Sequence, residues 1–432
     1  MRAGKGSKKI IVLSVDALLY EDMEFMCSLP NYGRLLEKAS YAKGGMRCVY
    51  PSLTYPAHAS MITGAYISAH GIFHNEFLDV GNPMPDWYWH HRDLKVNTIL
   101  DVAKGSGYTT GCVNWPCMAG APNVDYLVPE IWSEDDADDQ LEVFAAAASS
   151  NVMPSIRRHY HKWRKTGQPQ IDFFMASCAV DIIRSDQPDL MFVHFSQLDH
   201  LRHKHGMYGL ASKQALAVTD ELFGRMVEAT QEAGNWEKTN FVVAGDHGQL
   251  AIARKFSPNI LFTEHGLIDL SEDGSIKNWE AWCNSASLSC QVVLKDFRNT
   301  ALRTKVEDLL CQICQTQEYG VEAVFTAEEC ERDYHLTGNF QYVMEGAGTC
   351  FTNNVTGELV VQIKDCYSGY TVSHGHLPHK GPQPAFIVTG PDFKENIAIP
   401  RQHIIDQAPT YAHIFGLNLP NAQGRVLEEI LK

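Results

Sequence analysis

Along the chain, short apolar runs alternate with stretches in which apolar side chains recur at helical spacing. The runs Ile10 to Val15, Leu190 to Phe195 and Phe241 to Ala244 are nearly free of polar residues, the texture of strands buried on both faces. Helical spacing marks Leu35 to Ala39, Asn97 to Lys104 and Ala215 to Ala233. Strands and helices in alternation predict an α/β fold, a mostly parallel sheet sandwiched by helices. From about Asn259 to Tyr370 the texture changes. A β-like run at Gln291 to Leu294, a helix at Thr300 to Gln315 and a second run at Val321 to Thr326 predict a smaller α+β insertion. The main pattern resumes at Ala385 to Val388 and closes with a helix at Gln407 to Phe415. The expected division is therefore a core in two parts, 1–258 and 371–432, interrupted by a cap-like insertion at 259–370.

Composition narrows the class. The 432 residues carry 36 Lys+Arg against 51 Asp+Glu, a formal net charge of −15, which disfavours a protein that coats a nucleic-acid duplex. No uninterrupted apolar stretch is long enough to span a membrane. Arg2, Lys5, Lys8 and Lys9 before the apolar run imitate a signal peptide, but Asp16 ends the run and no small-residue cleavage site follows, so a first strand is expected. The 12 cysteines are scattered, and Cys311 and Cys314 form a lone C-x-x-C on a predicted helix with no second pair to complete a zinc site. Cysteine usage points to a reduced, cytoplasmic protein, in which the sequon at Asn354 has no consequence. The oligomeric state is left open.

The candidate chemistry lies just past the strands. Asp16 follows the first run, Asp199 lies within four residues of the second, and Asp246 and His247 follow the third. In open parallel sheets ligands bind beyond the carboxyl ends of the strands, so these acids converge on one edge. Asp199 and His203 are four apart, on one face of a helical turn where both reach one ion. His374 adds an imidazole in a Gly-flanked loop, and Gly248 after His247 is expected to allow a sharp turn. Three Asp and three His exceed one four-coordinate ion and suit two. Mixed carboxylate and imidazole donors favour zinc, with other divalent transition metals as alternatives. Thr54 opens a helix that has Pro56 in its first turn and Gly64 after its last. A helix N-terminus favours an anion, and metal coordination would turn the threonine hydroxyl into a nucleophile. Each residue alone has a plainer reading: a helix cap for Thr54, a turn residue for each Asp, a packed ring for His58 and His194, and core packing for Trp87 to Trp89. The joint pattern is what points to a site.

Tyr50-Pro-Ser-Leu-Thr-Tyr-Pro-Ala-His-Ala-Ser-Met-Ile-Thr-Gly-Ala-Tyr66 and His70-Gly-Ile-Phe-His-Asn75 resemble the nucleophile, T-G-x-Y and H-G-I-x-x-N segments of the nucleotide pyrophosphatase/phosphodiesterase family of the alkaline phosphatase superfamily. Leu198 to Gly206 resembles its D-x-x-G-H-x-x-G, and Gly245-Asp-His-Gly248 its S-D-H-G. The resemblance covers most of the α/β core. It implies two zinc ions, one held by Asp16, Thr54, Asp246 and His247 and one by Asp199, His203 and His374. It also implies attack by Thr54 on phosphorus, with Asn75 and the Thr54 N–H donating to a phosphoryl oxygen, on a small phosphate-ester substrate. The motif glycines are replaced by Arg202 and Val372, and His374 is followed by Gly-His-Leu-Pro, so the ligands match while the recognised group is left to Tyr55, the Trp87 to His91 cluster and the insertion.

The function expected is a two-zinc phosphodiesterase or nucleotide pyrophosphatase. Phosphonoacetate hydrolases resemble the chain in nucleophile and ligand set, and Arg202 or Lys204 would serve there as a carboxylate-binding cation. A phosphomonoesterase would want a cationic clamp for a dianion, which is not evident beside Thr54. A zinc-binding pseudoenzyme would need neither Thr54 nor Asn75.

Overall fold

The computed structural model describes residues 8–133, 135, 138–163, 167–365 and 369–432. Arg2 and Lys5 of the basic N-terminal cluster lie outside the described residues, as do positions 366–368 of the expected insertion.

Strands β1 (Lys9–Val15), β2 (Ser40–Ala42), β3 (Thr110–Val113), β4 (Tyr126–Val128), β5 (Leu190–Phe195) and β6 (Thr239–Ala244) belong to one sheet. The chain then builds a separate antiparallel sheet from β7 (Ala281–Ala286), β8 (Ser289–Leu294), β9 (Val321–Thr326) and β10 (Tyr342–Gly346). It returns to the first sheet with β11 (Phe386–Thr389) and β12 (Ala398–Ile399), giving the order β12–β2–β11–β6–β1–β5–β3–β4. Every pairing in the large sheet is parallel except those of β11, which runs antiparallel to both β6 and β2. The fold is the expected α/β class.

All seven residues of β1 are buried, because the strand is central and both faces are covered. Ile10 and Val12 pack into one apolar cluster and Ile11, Leu13 and Val15 into another, the period of two inherent to a strand. Burying each such side chain stabilises by about 1.5–3 kcal/mol. The first cluster is closed by helices α1 (Thr54–Thr63) and α6 (Gln407–Phe415). The second is closed by α2 (Gln170–Ser185) and α4 (Leu210–Glu232), while α3 (Gln197–His205) follows β5 directly. Helix α5 (Thr300–Gln315) packs on the smaller sheet, where Leu302, Val306, Leu309 and Leu310 join a third cluster. Cys311 and Cys314 lie on α5, and all eleven described cysteines are free thiols. Among the described residues, no helix is long and apolar enough to cross a membrane.

One expected element is displaced. The helix foreseen at Leu35 to Ala39 lies instead at Pro30–Leu36, starting where Pro30 presets the first turn. Ser40 then opens β2, which is paired on both sides: its hydroxyl donates to the Lys394 carbonyl at 2.7 Å and accepts from the Ile397 N–H at 3.0 Å. Sheet pairing thus overrides the local apolar spacing.

Candidate active site

The strand ends deliver the acids to one edge. Asp16 directly follows β1, and its N–H donates to the Phe195 carbonyl at the end of neighbouring β5 at 2.8 Å. Asp199 sits in the first turn of α3, and Asp246 and His247 follow β6. A buried acid on the neighbouring α2, Asp172, shapes the entry to α3, accepting from the Ser196 and Gln197 N–H groups at 3.1 and 3.0 Å. Nothing in local spacing marks Asp172, because its partners lie far along the chain.

Thr54 is the first residue of α1, with Leu53 as the extended residue before it and Gly64 closing the helix in the left-handed region. Its hydroxyl lies 3.2 Å from His247 Nε2, and among the described residues its backbone N–H has no protein acceptor. His247 Nε2 also lies 3.3 Å from Asp16 Oδ1 and 3.2 Å from Asp246 Oδ2. Ligands about 2.0 Å from a tetrahedral metal are about 3.3 Å apart, so these separations are those of a four-coordinate site. Asp16 Oδ1 and Asp246 Oδ2 are buried with no hydrogen-bond partner among the described residues. Burial pushes Asp246 up to about 8, although the Ala17 N–H pulls the other way, and burial with the charge of Asp246 raises Asp16 well above the carboxylate range. Two buried carboxylates with orphaned oxygens and an adjacent imidazole are the donor set that a divalent cation satisfies. The residues present fit zinc.

The second cluster adjoins the first through His247, whose ring stacks on His374 at 3.9 Å. Ligand atoms of Asp199, His247 and His374 lie within 4.8 Å of one another, as do those of Asp16, Asp246 and His247. His203 is joined to this group by Asp199, with Nε2 3.0 Å from Oδ2. Burial works to raise Asp199, but the imidazoles of His203, His374 and His247 hold it below its ordinary value. Burial lowers His374 to about 4, the neutral form that ligates metal. The ring orientations are fixed from behind, His203 Nδ1 donating to the Val372 carbonyl at 2.8 Å and His374 Nδ1 to the Ser52 carbonyl at 3.1 Å. Gln249 donates to Asp199 Oδ1 at 2.5 Å, a contact that sequence spacing does not reveal.

Asn75 and Tyr55 are tied together: the Asn75 side-chain carbonyl accepts the Tyr55 N–H at 3.0 Å, which fixes the amide's orientation. The Tyr55 ring is fully buried and meets Trp87 edge-on at 5.3 Å, so it backs the aromatic cluster rather than lining its surface. Trp87 and Trp89 both pack edge-on against Trp132 and border a cavity of about 270 Å³ with Phe77. Trp132 lies outside the cluster that the sequence pointed to.

Two sequence expectations, for Gly248 and Arg202, change, and one, for His58 and His194, holds with an addition. Gly248 does not adopt a left-handed conformation; a Cβ there would sit 2.0 Å from the Pro382 carbonyl oxygen, so close approach, not a sharp turn, requires glycine. His58 and His194 are packed, as a plain reading has it, but they also form a buried relay beneath the acids. His58 contacts Ser14 Oγ at 2.9 Å and His194 Nδ1 at 3.1 Å, and His194 Nε2 lies 3.5 Å from Asp16 Oδ2. Arg202 is fully buried, its guanidinium donating to Asp22 and to the Ala17 carbonyl, and Nζ of exposed Lys204 contacts half-buried His200. Arg202 is thereby committed away from a substrate carboxylate. Arg202→Met is therefore expected to destabilise by about 3–5 kcal/mol, because Asp22 is left charged and unpaired, as read from the urea midpoint.

The model of the family described as type I phosphodiesterase / nucleotide pyrophosphatase matches residues 10–376. The chain belongs to this family. Ectonucleotide pyrophosphatase/phosphodiesterase family member 3 of Mus musculus is 23% identical over 253 residues, 55% of this chain and 24% of that protein. Venom phosphodiesterase of Naja atra is 24% identical over 260 residues, 58% of this chain and 27% of that protein. The match thus spans about a quarter of the length of these relatives. Among solved structures, murine ectonucleotide pyrophosphatase/phosphodiesterase 5 superimposes with a TM-score of 0.68 over 98% of this chain and 100% of that one, at 16% identity. Its inactive threonine-to-alanine form in complex with AMP gives a TM-score of 0.67, again at 16% identity. These likenesses establish a shared fold with members of the family.

Proposed function

We propose that this chain hydrolyses phosphate diesters and nucleotide pyrophosphate bonds through a covalent phosphothreonine at Thr54, with two zinc ions as resident cofactors. The observation that carries this reading is the position of the Thr54 hydroxyl at a helix N-terminus, 3.2 Å from His247 Nε2 and beside the orphaned oxygens of Asp16 and Asp246. Asp16, Thr54, Asp246 and His247 would hold one ion and Asp199, His203 and His374 the other. When bound, the metals supply the positive charge that lowers the pKa of the threonine hydroxyl and of water and offsets charge on the phosphoryl oxygens.

The Thr54 hydroxyl gives its proton to water as Oγ1 forms a bond to phosphorus in line with the leaving oxygen, which departs with the electron pair of the broken P–O bond and takes a proton from water. Water then attacks the phosphothreonine, releases a phosphomonoester and restores the hydroxyl. The free Thr54 N–H and the Asn75 side-chain amide donate to a non-bridging oxygen, where charge grows in the transition state. Asn75→Ala is expected to lower kcat by roughly 10²-fold, the usual loss for one such donor, measured under single-turnover conditions.

The organic part of the ester is assigned to the aromatic cleft. Asn75 is joined to the segment that lines the cleft, its backbone carbonyl accepting the Tyr88 N–H at 2.9 Å, and a flat group on the phosphate is taken to extend toward Trp87 and Trp89. A nucleoside is the substrate class favoured, supported by the AMP complex of the murine relative. Among the described residues, no arginine or lysine contacts Thr54 or Asn75, which favours a diester over a dianionic monoester.

The deciding assay compares p-nitrophenyl phosphate, bis-p-nitrophenyl phosphate and the p-nitrophenyl ester of thymidine monophosphate on zinc-loaded protein, with and without chelator. The expected result is turnover of both diesters well above the monoester, lost on chelation. Three inert substrates with zinc bound would overturn the reading.

A further inference from the structure

The small antiparallel sheet reaches three of the segments that carry the site, those of Thr54, Asn75 and His374. Glu345 on β10 is fully buried beneath the loop that leads to Thr54, accepting from the Tyr50 hydroxyl at 2.9 Å. Its other oxygen accepts the Leu377 N–H at 2.9 Å, three residues beyond His374, and meets Lys380 Nζ at 2.7 Å. Next to it, the Ser289 hydroxyl on β8 donates to the Gly375 carbonyl at 2.7 Å, and the Leu288 N–H to the His374 carbonyl at 3.0 Å. Gly375 is left-handed, and a Cβ there would strike the Ala286 carbonyl oxygen, so the His374 loop lies flush against the β7–β8 turn. The segment carrying Asn75 is held in the same way: His74 Nε2 donates to the Ser285 carbonyl at 3.0 Å and Gln291 Nε2 to the Phe73 carbonyl at 3.1 Å. The two gripped loops also meet directly, where the Ser52 carbonyl accepts from His374 Nδ1 and, at 2.9 Å, from the Gly375 N–H.

We propose that this sheet is a fixed strut for the site rather than a moving cap, and that Glu345 is a positioning residue setting the separation of the Thr54 and His374 loops. A carboxylate suits the task because its two oxygens accept from both loops at once, one from Tyr50 and one from Leu377, with Lys380 balancing the charge. Glutamine would keep both contacts, its oxygen accepting from Leu377 and its amide donating to the Tyr50 hydroxyl, whereas leucine of similar size can make neither. The consequence for function rests on the phosphodiesterase reading; the positioning itself does not.

The test uses the zinc-loaded full chain with Glu345→Leu and Tyr50→Phe, the second deleting a single oxygen and serving alone if the first does not fold. Hydrogen exchange is expected to rise together in residues 50–54 and 373–377 while β6 amides stay protected. The weaker zinc-binding step, measured by competition with a chromophoric chelator, is expected to loosen about 10- to 100-fold, the range for groups that orient metal ligands. In an active enzyme kcat falls with KM unchanged. Unaltered exchange and zinc affinity, or exchange that rises equally in β6, would overturn the proposal. A wild type that cleaves no diester, with variants that still loosen both loops and zinc, sinks the catalytic reading and leaves the strut standing.

Discussion

Thr54→Ala is expected to leave a folded protein that binds zinc and cleaves bis-p-nitrophenyl phosphate on the order of 10⁴-fold or more slowly, the scale of losing a nucleophile. The fold should survive because the Thr54 hydroxyl plays no part in capping α1. It contacts His247 Nε2 instead, and Leu53 and Gly64 frame the helix by backbone conformation. Zinc should survive because Asp16, Asp246 and His247 still offer three ligand atoms within 4.8 Å of one another. Turnover should not, because attack by water in place of Thr54 forfeits the placement of the hydroxyl at the helix N-terminus. The measurement is kcat on diester beside a zinc count on the same sample. Activity near wild type would remove Thr54 from the nucleophile's role.

The second large effect is expected at the other cluster. Asp199→Asn or His374→Ala should lower zinc content from two ions per chain to one and reduce turnover by at least about 10²-fold, the scale of losing one source of transition-state charge stabilisation. Asp199 is the only carboxylate of its group and lies between His203 and His374, so its loss leaves imidazoles with no anion to balance a dication. His374 is buried and oriented by the Ser52 carbonyl, so alanine leaves a gap that no neighbouring donor fills. The Asp16, Asp246 and His247 group loses none of its own ligand atoms, although His247 loses the ring stacked on it in His374→Ala, and should keep its ion. Elemental analysis after dialysis reads the outcome, and two ions retained in both variants would show the ligand assignment to be wrong.

The two expectations separate the roles of residues that stand close together. Thr54 and His374 both lie within reach of His247, yet one change removes chemistry and leaves metal, while the other removes metal. A variant series that failed to divide in this way would point to a single shared cation.

Sequence by itself determined the fold class and the positions of the acids. Strands buried on both faces show as unbroken apolar runs, and an acid that ends such a run must lie at the carboxyl edge of a parallel sheet, since the strands pair in register. Periodicity likewise located α5, α6 and β9, whose bounds coincide with the apolar pattern because each packs one face on a single layer. What only the tertiary structure decided are the contacts between segments distant along the chain. Asp172 under α3, Gln249 on Asp199, Trp132 against Trp87 and Glu345 between two loops have no local signature, because no spacing rule links residues tens or hundreds of positions apart. The fate of Arg202 was hidden for the same reason. A cation one residue from a candidate metal-ligating histidine looks available for substrate, until the fold brings Asp22 and the Ala17 carbonyl to it and the cost of burying an unpaired charge fixes it there.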